Sequence, residues 1–184
     1  REEPRIRTIY TTETFAALKI DVDNWRWKGV PFYLRSGKRL ASDVTEVAFQ
    51  FRAPPRLLFR EIDGATLDPN WLIFRIKPNE AIDLVAFAKQ PGLTLETRPV
   101  TLHTAYLEKD DVEYAAYEQL LLDAVEGDRA PFIRYDEVDF AWQLLQPVLD
   151  AWKSGEPEPY AAGSEGPDAA AALLEPGHRW RALS

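Results

Sequence analysis

At 184 residues, with 46% hydrophobic side chains, the chain is long enough for one well-packed domain and not for two of usual size. Twenty-two basic residues against thirty acidic ones leave a formal charge of −8, which argues against a general nucleic-acid binder or a protein of anionic membranes. There is no cysteine, so disulfides, thiol chemistry and cysteine-ligated metals are excluded, which fits a cytoplasmic protein. No apolar run approaches the roughly 18 residues that span a bilayer, and no signal peptide opens the chain. The chain begins at Arg1 and contains no methionine, which reads as a piece of a longer product or a processed form.

Residues 1–10 are mixed and charged and read as the remnant of a linker; 11–184 reads as one domain. A strand is predicted over about 13–23, where Leu18, Ile20 and Val22 alternate with Lys19 and Asp21. A turn rich in aromatic residues follows, then a strand over 30–36, with Pro31 stiffening its entry. Gly37 is expected to turn the backbone and Lys38 to project from the strand's end. A third strand covers 45–52, where Val47, Phe49 and Phe51 alternate with Ala48 and Gln50, and Ala53-Pro54-Pro55 closes it. At 71–77, Leu72, Phe74 and Ile76 face one side and Ile73, Arg75 and Lys77 the other, before a turn at Pro78-Asn79. Two more strands follow at 81–89 and 93–102, and the short connections favour antiparallel pairing.

The period then changes. Tyr114, Tyr117, Leu120, Leu121 and Val125 recur at helical spacing, with Gly127 as the stop. A second helix is predicted from Asp136 as N-cap, burying Phe140, Ala141, Leu144, Leu145, Val148 and Trp152, with Pro147 loosening it. Residues 154–168 read as irregular and Ala169–Leu174 as a short terminal helix. Strands first and helices afterwards predict an α+β fold: a large, mostly antiparallel sheet with helices packed on one face and concentrated in the last third.

No Gly-x-Gly-x-x-Gly follows a strand, so no dinucleotide-binding unit is visible, and Gly163-Ser164-Glu165-Gly166 reads as only a turn. His103 and His178 lie far apart without metal-ligand companions, so both read as structural. Lys38, a mobile cation at the mouth of a sheet, is suited to gripping an anionic small molecule, although most lysines are simply solvated.

Thr12–Leu40 (TETFAALKIDVDNWRWKGVPFYLRSGKRL), Arg75–Ile82 (RIKPNEAI), Ala116–Asp128 (AYEQLLLDAVEGD) and Pro159–Pro167 (PYAAGSEGP) followed by Arg179-Trp180 occur in this order across nearly the whole chain. In these segments the sequence resembles the carboxy-terminal half of glucose-6-phosphate dehydrogenase. The resemblance implies a substrate-binding and dimerisation domain, with the nucleotide-binding domain absent from this chain. It implies a parent enzyme that oxidises glucose 6-phosphate to 6-phosphogluconolactone with NADP, in the oxidative pentose phosphate pathway. The family's catalytic histidine motif has no counterpart here, so the chain alone is expected to be inactive.

Residue by residue, the resemblance implies that Lys38 of Arg35-Ser36-Gly37-Lys38 contacts glucose 6-phosphate, with Arg35 more structural. Asp43 stands where the family commonly has a second basic residue, and a carboxylate there would repel phosphate. Lys77, where family members often have glutamine, is either a compensating cation for the substrate or a solvated strand end. Some members hold a structural NADP in this half. Arg35, Arg75 and Trp180 match part of that pattern, but Ala48 and Val85 replace its basic partners, so no tightly bound NADP is expected on this chain. The remaining implied partner is a second copy, through the sheet, with Trp25 and Trp27 among the aromatics expected mostly in the core. The alternative is a non-catalytic assembly or regulatory protein that retains only this fold.

Overall fold

The computed structural model describes residues 12–52, 69–93, 96–106 and 116–183. The chain divides into two compact units, one of Arg1–Leu40 with Val112–Ala182 and one of Ala41–Asp111 with Leu183–Ser184.

In the first unit, β1 (Phe15–Asp21) pairs antiparallel with β2 (Pro31–Gly37), from Phe15 opposite Gly37 to Asp21 opposite Pro31. The alternation works as expected: Leu18 and Ile20 are half-buried while Lys19 and Asp21 are exposed. Asn24 organises the connection, because its side-chain oxygen accepts from the N–H groups of Arg26 (3.0 Å) and Trp27 (2.8 Å). Trp27 packs edge-on against Phe32 at 5.3 Å, but Trp25 is 90% exposed, so the expectation of a core role fails for it.

Two helices and a turn of 3₁₀ helix complete this unit. α1 (Ala116–Glu126) ends at Gly127, whose φ of 78° supplies the left-handed stop, and the Asp128 N–H closes back on the Asp123 carbonyl at 2.9 Å. α2 (Tyr135–Trp152) runs through Pro147. Its cap is Arg134 rather than Asp136: the Glu137 carboxylate accepts from the Arg134 N–H at 3.3 Å, and Asp136 lies in the first turn. Leu145, Val148 and Trp152 are half-buried, but Phe140 is 67% and Leu144 65% exposed, against the burial expected of them. On α1 Leu120 is half-buried, whereas Tyr117, Leu121 and Val125 are exposed. Helical periodicity identifies an apolar face and does not say what covers it. The 3₁₀ helix Asp168–Leu173 lies against β1. There the Lys19 ammonium reaches Glu175 at 2.7 Å and the Trp180 indole N–H donates to the Ala170 carbonyl at 3.1 Å.

The second unit is a meander, β3 (Thr45–Gln50), β4 (Trp71–Lys77), β5 (Ala81–Lys89) and β6 (Thr97–Ala105), antiparallel and in sequence order. The last strand begins later than the predicted 93–102 and runs on to Ala105, because its register is set by Lys89 opposite Thr97 and Ala81 opposite Ala105. Pro99 is tolerated on this outer strand, where its missing N–H breaks no central ladder. Residues 53–55, expected to end β3, and Tyr114 lie outside the described residues. Ile73, 1% exposed, and Ala81 form the buried side; an isoleucine so buried contributes about 2–3 kcal/mol. The opposite face is left apolar and accessible: Val47, Phe49, Phe74, Ile76, Ile82 and Leu102 are all exposed.

Candidate functional site

Lys38 is the first residue beyond β2, and its backbone is held on both sides. Its N–H donates to the Thr14 carbonyl at 2.8 Å, adding one rung to the β1–β2 pairing. The Tyr160 hydroxyl lies 2.8 Å from the Lys38 carbonyl and 2.8 Å from the Thr14 carbonyl, so its single proton is shared between two acceptors. Arg39 takes a φ of 53° and its carbonyl accepts from the Gly163 N–H at 2.8 Å; Leu40 then bridges Ser164 in parallel. Gly163-Ser164-Glu165-Gly166 is therefore more than a turn. It is the strap that holds the Lys38 loop.

The turn itself is made by Arg39, not by Gly37 as expected. Gly37 is required for space, since a Cβ there would meet Phe15 Cδ2 at 2.8 Å and Leu40 Cγ and Cδ2 at 3.1 Å. A Cβ on Gly166 would run into the same phenyl ring. Phe15 thus lies against two glycines, with the Tyr160 ring at 5.6 Å.

The two cations of the Arg-Ser-Gly-Lys segment have different fates. Arg35, with only 11% of its side chain exposed, is bound to Glu165 at 2.9 Å, donates to the Arg181 carbonyl and lies over the Trp180 ring at 5.2 Å. Its guanidinium is committed internally, which agrees with a structural role. Lys38 is exposed, and among the described residues its ammonium has no ion pair or hydrogen bond. An unpaired ammonium with three donors and a fixed backbone can receive phosphate or sugar oxygens without breaking an existing pair.

Lys77 closes β4 in the second unit, opposite Thr45, and is likewise exposed and unpaired among the described residues. The turn after it uses Asn79 at φ 58°. Asp43 is exposed in the segment leading into β3.

In the same unit, sequence reasoning missed a polar cluster on the buried side of the meander. Asp83 on β5, only 6% exposed, lies directly across from His103 on β6 and bonds His103 Nδ1 at 2.5 Å and Arg75 Nη2 at 3.1 Å. The hydrogen bond from His103 holds the Asp83 carboxyl below the usual aspartate range, aided by the charges of His103 and Arg75 and opposed by burial. The available signal was Asp83 itself, an acid inside the apolar run Ala81–Ala88. His178 pairs with the Tyr33 hydroxyl at 2.8 Å, and that hydroxyl also accepts from the Glu175 N–H at 3.1 Å. Both histidines are thereby engaged in holding structure. Among the described residues no cluster of His, Asp or Glu could hold a metal ion, and no helix is long and apolar enough to cross a membrane.

Residues 1–181 match the family model described as glucose-6-phosphate dehydrogenase, C-terminal domain. The chain belongs to that family. It is 46% identical over 173 residues to the glucose-6-phosphate 1-dehydrogenase of Mycolicibacterium smegmatis, covering 92% of this chain and 35% of the relative. The corresponding protein of Treponema pallidum is 44% identical over 181 residues, covering 95% and 35%. The crystal structure of glucose-6-phosphate 1-dehydrogenase from Mycobacterium avium superposes with a TM-score of 0.83 at 36% identity, over all of this chain and 38% of that one. A glucose-6-phosphate dehydrogenase in complex with its substrate glucose-6-phosphate matches with a TM-score of 0.77 at 36% identity, over 92% of this chain and 35% of that one. The chain spans about a third of the length of the curated relatives it matches. The α+β reading, with its antiparallel strands and its helices in the last third, agrees with the fold of these dehydrogenases.

Proposed function

We propose that this chain is the carboxy-terminal part of an NADP-dependent glucose-6-phosphate dehydrogenase and that it presents Lys38 to the sugar phosphate. The observation that carries the reading is the Lys38 ammonium, unpaired among the described residues, on a loop anchored by Thr14, Tyr160 and Gly163. In the proposed reaction the anomeric hydroxyl loses its proton to a base outside this chain, while the anomeric C–H leaves as hydride, giving 6-phosphogluconolactone. NADP, when bound, supplies the hydride acceptor, and this chain's residues orient the substrate. Lys38 places a positive charge against phosphate or hydroxyl oxygens and leaves the redox step to groups elsewhere.

The same reading assigns Lys77 to the substrate and leaves a second, structural NADP without a home here. Arg35 and Arg75 are each engaged by a carboxylate, and Ala48 and Val85 offer no donor. The alternative of a non-catalytic assembly protein is not favoured, because the chain resembles glucose-6-phosphate dehydrogenases along nearly all of its length.

Two variants of the full-length enzyme test the site. Lys38→Ala is expected to raise the KM for glucose 6-phosphate by about 10- to 100-fold, the worth of one charge-assisted hydrogen bond. Lys77→Ala is expected to raise it less. An unchanged KM in steady-state assays would remove the residue concerned from the substrate site.

The exposed apolar face of the meander supports a homodimer formed through that sheet, since a patch of this kind marks an interface. Sedimentation equilibrium is expected to give a dimer at micromolar concentration, and an Ile82→Asp variant should shift it to monomer. A wild-type monomer at that concentration would refute the interface.

A further inference from the structure

We propose that Tyr160 is the positioning residue for Lys38, acting through its hydroxyl rather than by touching substrate; this rests on the reading of Lys38 as a substrate-binding cation. The Thr14 carbonyl accepts from the Lys38 N–H at 2.8 Å and faces the Tyr160 hydroxyl at the same distance, while that hydroxyl also lies 2.8 Å from the Lys38 carbonyl. Tyr160 therefore closes a small ring of polar groups that includes both the N–H and the carbonyl of Lys38, whose ammonium is unpaired among the described residues. The Thr14 hydroxyl, 3.3 Å away, completes its surroundings.

Lys38 lies outside the regular pairing of β2, and Arg39 after it adopts left-handed backbone. The Lys38 N–H and the Arg39 carbonyl are held by Thr14 and Gly163, and Tyr160 adds the tie at the carbonyl between them; without it that peptide plane has more room to tilt. The ammonium, four carbons away, would sweep a wider volume. A long flexible side chain gains precision from its backbone, because rotamer freedom lost before binding is not lost again on binding. Tyr160 is also well placed to be specific: its ring packs against Phe15 in the glycine-flanked slot, so the hydroxyl has one direction in which to point.

The test is Tyr160→Phe in the full-length enzyme, which keeps the ring and removes only the hydroxyl. The KM for glucose 6-phosphate is expected to rise about three- to tenfold, the worth of one neutral hydrogen bond, with little change in kcat or in the KM for NADP. In a Lys38→Ala background the same substitution is expected to do nothing further, since the group being positioned is gone. A Tyr160→Phe enzyme with wild-type KM would overturn the inference. So would an equal rise in both backgrounds, which marks a merely structural role. If Lys38→Ala itself leaves KM unchanged, the reading of Lys38 fails, and the inference fails with it.

Discussion

A Gly166→Ala variant is expected to be destabilised by about 2–6 kcal/mol, read as a lowered urea midpoint at unchanged slope. Two costs combine. Gly166 has a φ of 107°, outside the left-handed well that other residues visit, and holding a side chain there costs about 1–3 kcal/mol. The new methyl would also collide with the Phe15 ring, and relieving such overpacking costs about 1–3 kcal/mol more. The upper end applies only if neither ring nor strap can yield. Gly163→Ala is the control: its φ of 77° is also positive, but a Cβ there meets nothing within 4 Å. It should lose only the left-handed backbone penalty of about 1–2 kcal/mol. Equal losses in the two variants would show that the Phe15 wedge is not what demands a glycine at 166. Because the strap ties the Lys38 loop, Gly166→Ala should also raise the KM for glucose 6-phosphate, whereas Gly163→Ala should raise it less.

Asp83→Asn is expected to cost about 3 kcal/mol at neutral pH, since removing one member of a buried charged cluster strands the others. Arg75 would be left worst off, because its Nε is already buried without a partner among the described residues. The direction with pH follows from the depressed carboxyl. A group whose folded value lies below its unfolded one stabilises the protein above the unfolded value, here the ordinary 3.8, and that contribution is lost as pH falls through the folded value. Acidification below about pH 4 should therefore narrow the gap between wild type and Asp83→Asn. Urea titrations at neutral pH and at pH 3.5 measure both. A neutral-pH difference below about 0.5 kcal/mol would mean that the cluster is ornamental, as many exposed ion pairs are.

The strands were legible in the sequence because period-2 alternation is a direct consequence of the pleat, and Ile73 against Phe74 sorts the two faces without any tertiary knowledge. The Arg-Ser-Gly-Lys segment that ends β2 was visible as a local motif, and the exposure of Lys38 agrees with the mobile cation expected there. The rest depended on contacts far apart in sequence. The backbone partner of Lys38 is Tyr160, 122 residues on, and although its segment Pro159–Pro167 was recognisable, nothing in it shows which distant residue the hydroxyl meets. Gly37 was visible as special but for the wrong reason, since closeness to Phe15 cannot be read from neighbours in the chain. Asp83 was passed over although it is an acid in an apolar run, and the register that pairs it with His103 is not written in the local sequence. Phe140 and Leu144 erred the other way: their spacing marks a helix face, and the chain leaves that face open.

The strap also fixes an order of events during synthesis. Thr14 and Lys38 leave the ribosome before Tyr160 and Gly166, which follow only after more than a hundred further residues. At about 5–20 residues per second, the β1–β2 hairpin exists for many seconds before its loop can be fastened. A nascent chain stalled or clipped anywhere between Lys153 and Tyr160 would carry every strand described here and still lack a fixed Lys38.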